Sequence, residues 1–401
     1  MSALTDRRVL VTGGTGFLGS RVVEKLVLEH DARVRVLTSN LAHAARAARF
    51  DLELVHGDVG DPTLVRQAAD GCDVIIHCAY GSSGSARERR RVTVEGTRSI
   101  LDAALAARVQ RVVHVSTMVV YGIGVEGVLD ERTPRRRTGV SYADTKSEAE
   151  ALVERYVREH GAPVAIVQPT AIYGPYAPSW TERVVEAMRT RRLILVDGGT
   201  GLANPVYVDD VADALLLAAV RDEAVGEAFL VASGQRVTWR DFLSRYEAML
   251  GNDSTVTMTS AEAKAYYVRQ QRRVGLLGEL NASVRRDSEL RKRLLKTREL
   301  DTLTRLARPL LATRALQPLA RRLKPQRPAR LDKAPRTSPA RNKPIQAEHP
   351  KQVDFLAAKT EVSIDKARGL LGFEPAFDLD AGMALTEAYL RWANRLPIEE
   401  A

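Results

Sequence analysis

Along the first 170 residues, short apolar runs rich in β-branched side chains alternate with longer stretches of helical periodicity. Arg8–Val11, Arg33–Leu37, Leu52–His56, Val74–His77, Val112–Ser116 and Val164–Val167 read as strands. Phe17–Glu29, Leu41–Arg49, Thr63–Ala69, Arg87–Ala107 and Tyr142–His160 read as helices. The runs are apolar throughout instead of alternating, as expected of strands covered on both faces. Strands separated by helices pair in parallel, because each return needs a crossover. The pattern predicts an α/β fold built on a doubly wound parallel sheet.

Beyond residue 170 the alternation loosens, with helices expected near Thr181–Arg189, Val211–Ala219 and Trp239–Leu250. Residues 261–350 break with everything before them. They hold 23 Lys and Arg against 8 Asp and Glu, together with eight prolines, so this segment is net +15 in a chain of net +10 and the remainder is net −5. Leu290–Leu323 carries leucines at helical spacing, and residues 325–350 are expected to be disordered. Three regions follow: 1–175, to which about 203–235 return; a smaller C-terminal domain from 176–260 and 351–401; and a basic, partly helical insert at 261–350.

The 401 residues, 45% of them hydrophobic, exclude a disordered or collagen-like chain. Two cysteines, Cys72 and Cys78, are too few for a secreted disulfide framework and lack partners spaced for zinc, so no metal site is expected. No leader or bilayer-spanning run is visible, and a cytoplasmic protein is expected.

The first strand runs into Thr12-Gly13-Gly14-Thr15-Gly16-Phe17-Leu18-Gly19 and then a helix. Glycines at this spacing allow a sharp turn, close approach of backbone N–H groups to a pyrophosphate, and tight packing of helix on sheet, the signature of a Rossmann-type dinucleotide site. Asp58-Val59 follows the third strand, where a carboxylate faces the ligand crevice and could accept from an adenine amino group. His77 reads as a core histidine. Tyr142 and Lys146, four apart, share one helix face, and a nearby cation lowers a phenol's pKa. Ser116-Thr117, ending the fifth strand, could hold a substrate hydroxyl or carbonyl beside that phenol.

These residues give the chain a resemblance to the extended short-chain dehydrogenase/reductases, a group that includes nucleotide-sugar epimerases and dehydratases. The similar parts are TGGTGFLG, Gly57-Asp58-Val59, VVHVSTMVVYG, SYADTK, Pro169 to Pro175, Asn204 to Ala214 and Val362 to Pro375, over about residues 7–250 and 353–395. The resemblance implies a small-molecule substrate and hydride transfer at a secondary alcohol or ketone. Tyr142 would be the acid/base. Lys146 would bind the nicotinamide ribose and lower the Tyr142 pKa, and Thr117 would orient the reacting oxygen. Gly13, Thr15, Gly16, Phe17, Leu18 and Gly19 would hold the pyrophosphate, Asp58 and Val59 the adenine, and Ala79 the middle of the cofactor. Pro169 would lie by the nicotinamide, and Thr170 and Asn204 by the substrate.

Departures from the family's pattern bear on the substrate. After the second strand, Thr38-Ser39-Asn40 offers no carboxylate for a ribose 2′-hydroxyl, whereas Ser39, Asn40 or Arg46 could meet a 2′-phosphate, so NADP is preferred over NAD. Thr93 stands where many relatives have Asn. Met118-Val119 replaces the Asp-Glu pair of sugar dehydratases, arguing against dehydration. Ala203 stands where many UDP-sugar enzymes place Arg. A nucleotide sugar is expected, with a ketone or sterol-type alcohol without a diphosphate as the alternative, and a catalytically silent dinucleotide-binding scaffold as the non-enzyme alternative.

The insert reads as a solvated surface elaboration, or as a Leu/Arg helix lying on an anionic membrane surface at the inner face of a membrane. Nucleic acid is not expected, because the segment has no aromatics beyond Tyr266 and Tyr267 to stack on bases. Helices Arg87–Ala107 and Tyr142–His160 could build a homodimer face.

Overall fold

Each of the six expected runs forms a strand. In the computed structural model, which describes residues 2–272 and 343–397, these are β1 (Arg8–Thr12), β2 (Arg33–Thr38), β3 (Glu53–His56), β4 (Val74–His77), β5 (Arg111–Val115) and β7 (Val164–Pro169). A seventh, β11 (Ala228–Val231), joins from the later sequence, giving the order β11-β7-β5-β4-β1-β2-β3 with every neighbour parallel. The order reverses between β1 and β4. In such sheets the ligand crevice opens at this point, beyond the strands' C-terminal ends.

Alternate side chains of each strand enter two separate cores. Val9 and Val11 of β1, Val74 and Ile76 of β4 and Val113 and Val115 of β5 pack on one face, against α1 (Phe17–Leu28) and α7 (Val208–Val220). Leu10, Ile75 and Val112 pack on the other, against α2 (Pro62–Ala69), α4 (Gly96–Ala106) and α5 (Ser141–His160). This two-sided burial is why the runs read as continuously apolar.

Two expected helices differ. Arg87–Ala107 is broken into α3 (Ala86–Arg90), a widened π turn over Arg91–Glu95, and α4. The bulge carries Thr93, whose hydroxyl accepts from Gly81 N at 2.9 Å. Leu41–Arg49 is a short 3₁₀ turn, Leu41–Arg46, started by Asn40, whose side chain accepts from Ala42 N at 3.0 Å.

The later chain builds three two-stranded parallel pairs: β8 (Ala171–Tyr173) with β10 (Pro205–Tyr207), β9 (Leu193–Val196) with β12 (Thr255–Met258), and β6 (Gly127–Leu129) with β13 (Thr360–Val362). Helices α6 (Arg183–Thr190), α8 (Trp239–Leu250), Pro350–Ala357 and Leu379–Trp392 surround them.

The insert leaves and returns at one edge of this region. Residues 260–272 are helical, and Tyr267 meets the His349 ring at 5.4 Å while Lys264 pairs with Asp354 at 2.5 Å. Residues 343–349, expected to be disordered with the rest of 325–350, are instead built into that edge. Ile345 bridges Arg192 beside β9, and the buried Lys343 ammonium donates to Met188 O at 2.8 Å. The helix expected over Leu290–Leu323, and the stretch from 325 to 342, lie outside the described residues.

Candidate functional site

The glycine loop sits at the switch point. Gly13 adopts φ +67°, and a Cβ there would lie 3.0 Å from the Ala79 backbone at the tip of β4. At Gly19 a Cβ would come within 2.3 Å of the Gly13 carbonyl oxygen, so only glycine lets α1 start this close to β1. Gly16 precedes the helix without a side-chain cap, and the first turn carries no acidic residue, which leaves its N–H groups for an anion. Leu18 points into the core, so its contribution to such a site is its backbone. Thr15 Oγ1 lies 2.7 Å from Thr38 Oγ1, tying the loop to β2. This uncapped cradle fits a dinucleotide pyrophosphate.

The residues expected around the adenosine are already engaged. Asp58 accepts from Gly60 N at 2.7 Å and pairs with Arg91 at 2.5 Å. Burial raises its pKa, but Arg91 and the Gly60 N–H outweigh that and hold the carboxyl below its usual range. Val59 is core, packed where a Gly96 Cβ would be. Ser39 is exposed, Asn40 caps the 3₁₀ turn, and the Arg46 guanidinium stacks 4.1 Å over the Tyr176 ring. His77 is a core histidine: Nδ1 meets Thr12 Oγ1 at 2.7 Å, Nε2 meets Thr97 Oγ1 at 3.0 Å, and burial pushes its pKa down to about 3.

Thr117, Tyr142 and Lys146 come together at the tips of β4 and β5. Thr117 is buried at the end of β5, and Tyr142 and Lys146 stand one turn apart at the start of α5. The Tyr142 side chain is 46% exposed, yet protein surrounding its hydroxyl pushes the pKa up to about 12. Tyr80 adds to this rise, and the Thr117 hydroxyl pulls against it.

Lys146 is not among the groups that act on the Tyr142 hydroxyl here. Lys146 Nζ is turned toward the sheet, donating to Val115 O at 2.7 Å, and burial lowers its own pKa to about 8. Tyr80, which no motif marked, stands between the two, its ring 5.9 Å from that of Tyr142 and 5.4 Å from Lys146 Nζ.

Beside Thr117 lies a narrow cavity lined by Met118, Val125, Leu202, Ala203, Asn204 and Phe355. Its wall is mostly apolar. Asn204, at φ +45°, spends its amide on Thr360 O at 2.9 Å, which fastens β13 to the cavity. Pro169 and Thr170 are buried at the end of β7, and the Thr170 hydroxyl donates to Val231 O at 3.3 Å. Among the described residues no cluster of metal ligands occurs.

The NAD dependent epimerase/dehydratase family model matches residues 9–232. A 4-hydroxy-2-methyl-3-oxo-4-farnesyl-3,4-dihydroquinoline-1-oxide ketoreductase of Stigmatella aurantiaca is 34% identical over 241 residues, which is 59% of this chain and 71% of that protein. A dTDP-D-glucose 4,6-dehydratase of Homo sapiens is 29% identical over 229 residues, 52% of this chain and 65% of that protein. The solved structure of the dTDP-glucose 4,6-dehydratase DesIV from Streptomyces venezuelae, with NAD and TYD bound, matches with a TM-score of 0.65 at 23% identity. It covers 96% of this chain and 97% of that one, a likeness of fold.

Proposed function

The chain belongs to the NAD dependent epimerase/dehydratase family, and from that premise we propose that it transfers hydride at a ketone or secondary alcohol that carries no diphosphate. The observation that carries this reading is the apolar wall of Met118, Val125, Leu202, Ala203 and Phe355 beside Thr117. The Stigmatella ketoreductase, named for a farnesylated substrate, supports it. A nucleotide sugar is the second reading, supported by the dehydratase relatives. It needs a cation for its diphosphate, and Arg183, whose charge acts on Tyr80, is the candidate.

Residues Gly13, Thr15, Gly16, Phe17, Leu18 and Gly19 would hold the cofactor's pyrophosphate, Asp58 and Val59 its adenine, and Ala79 and Pro169 the parts nearer the reacting ring. The nicotinamide supplies or accepts the hydride when bound. In the reducing direction Tyr142 donates its proton to the substrate oxygen, which the Thr117 hydroxyl orients, with Thr170 and Asn204 at the rim; oxidation reverses the transfer. Burial raises the Tyr142 phenol, so it carries its proton at neutral pH. NADP is favoured over NAD because Thr38-Ser39-Asn40 offers no carboxylate and Arg46 lies close by.

Two further readings concern partners. The net +15 of residues 261–350 favours an anionic membrane surface as the insert's contact, on the cytoplasmic side. The outer sides of α4 and α5 favour a homodimer. Liposome co-sedimentation with and without residues 273–342, and light scattering, test these; equal sedimentation and a monomeric mass would count against them.

Native mass spectrometry of the purified protein, followed by absorbance at 340 nm with NADPH, tests the main reading. Oxidation of NADPH by apolar ketones is expected from a protein that arrives without cofactor. Tightly retained oxidised cofactor, with turnover of a UDP- or dTDP-sugar only, would overturn it in favour of an epimerase.

A further inference from the structure

Behind Lys146, α5 and the sheet enclose a second layer of polar groups. Strand side chains alternate between faces, so Thr12, His77, His114, Ser116 and Gln168 share the face on which α4 and α5 pack. All are buried. Glu150 follows Lys146 by one turn of α5 and is 2% exposed. Its Oε1 accepts from Gln168 Nε2 at 2.9 Å and from Arg135 Nη1 at 3.0 Å, and Gln168 Oε1 in turn accepts from Tyr121 OH at 2.8 Å. Glu150 Oε2 meets no hydrogen-bond partner. The Ser116 hydroxyl acts on this carboxylate without reaching hydrogen-bond geometry.

A buried ammonium is costly without an opposite charge close by. The titratable groups facing Lys146 are His77, Cys78 and Tyr80 from β4 and the turn after it, His114 from β5, and Tyr142 and Glu150 from its own helix. Burial holds both histidines neutral and pushes the Cys78 thiol up to about 12. Tyr80 and Tyr142 are likewise raised. Glu150 is the carboxylate of this set. Burial raises its pKa, Ser116, Gln168 and Arg135 pull it back, and Glu154, which also pairs with Arg135, raises it.

We propose that Glu150 is a positioning residue for Lys146: its buried carboxylate, one helix turn away, supplies the counter-charge that keeps the ammonium charged, while Arg135 and Gln168 hold the carboxylate in place. The proposal rests on the reading that Lys146 serves the cofactor. Nothing in the glycine loop or the Tyr142–Lys146 pair requires a third charged residue, and the role follows from the elimination above.

Fluorescence titration of the full chain with NADPH from pH 6 to 9.5 tests it. Wild-type affinity is expected to fall as pH passes about 8, where Lys146 loses its proton. Glu150→Gln keeps an acceptor for Gln168 and Arg135 but removes the charge. The fall should then come about one pH unit earlier, making binding about fivefold weaker than wild type at pH 8, about tenfold weaker at pH 9.5 and nearly equal at pH 6. Gln168→Leu, which leaves the charge, should weaken binding by one factor at every pH. Should Glu150→Gln not fold, Arg135→Met, on a partly exposed loop, frees the carboxylate from a cation and should move the fall upward. A midpoint unmoved in both variants overturns the proposal, whatever the height of the curve. Lys146→Met separates the underlying reading: if it keeps the wild-type pH curve, Lys146 does not serve the cofactor, whereas loss of that curve beside an unmoved Glu150→Gln midpoint removes Glu150 alone.

Discussion

The Lys146 ammonium lies 5.4 Å from the centre of the Tyr80 ring, so the cation of the candidate catalytic pair faces an aromatic ring as well as the Val115 carbonyl. A cation over an aromatic ring contributes about 0.5–2 kcal/mol. Tyr80→Ala is therefore expected to weaken NADPH binding by about 2- to 30-fold, and Tyr80→Phe to leave it within about twofold. Fluorescence titration decides this, and equal losses in both variants would assign the effect to the hydroxyl instead.

Tyr142→Phe removes the proton that the substrate oxygen takes up. Turnover should drop by about 10²- to 10⁴-fold, the range of general-acid catalysis, while the cofactor dissociation constant moves little. Steady-state rates at 340 nm beside a titration measure both. Unchanged turnover would take Tyr142 out of the mechanism.

Arg46 stacks 4.1 Å over the Tyr176 ring, and a stacked guanidinium still has its N–H edge for a 2′-phosphate. Arg46→Ala should weaken NADPH by about tenfold, as loss of one charge-assisted contact does, and spare NADH. Equal effects on the two cofactors would show that Arg46 does not read the phosphate.

Asp210 on α7 is 1% exposed, with one oxygen accepting from Ala376 N at 2.8 Å and the other without a hydrogen-bond partner. Burial pushes its pKa up to about 6, against the pull of the Ala376 and Phe377 N–H groups and with help from Asp213 and Asp209. A carboxyl raised on folding contributes stability that is complete below its unfolded pKa near 4 and is lost as pH rises through about 6. Asp210→Asn, which cannot ionise, should gain on wild type between pH 4.5 and pH 7.5, by at most about 3 kcal/mol. Thermal midpoints of both proteins at the two pH values check the sign, and a gap that narrows with pH would contradict it.

The central sheet was legible because β1, β4 and β5 are buried on both faces, and such runs cannot be mistaken for half-exposed strands. The glycine loop was legible for a steric reason: Gly13 and Gly19 stand where a Cβ meets backbone. The paired strands β6 with β13 and β8 with β10 were not, since each has only three residues and finds its partner far along the chain. The break in Arg87–Ala107 was not legible either, as the β-branched Val92, Thr93 and Val94 lower helix propensity only slightly and do not by themselves break a helix. At the site, Thr117, Tyr142 and Lys146 announced themselves by spacing, whereas Tyr80 and Glu150 matter through neighbours on other elements. The direction of the Lys146 side chain followed from the Val115 carbonyl, which a sequence pattern does not place.

The meeting of Tyr267 with His349 has a consequence for how this protein can be remodelled. Because the chain departs and re-enters side by side, whatever runs between residues 272 and 343 makes little geometric demand on the sheet, and the entropy of closing such an excursion grows only slowly with its length. The spot is a natural socket. A reporter, a tether or a second catalytic module could be spliced there while β9, the Lys343 anchor and the helix at Pro350–Ala357 keep their places.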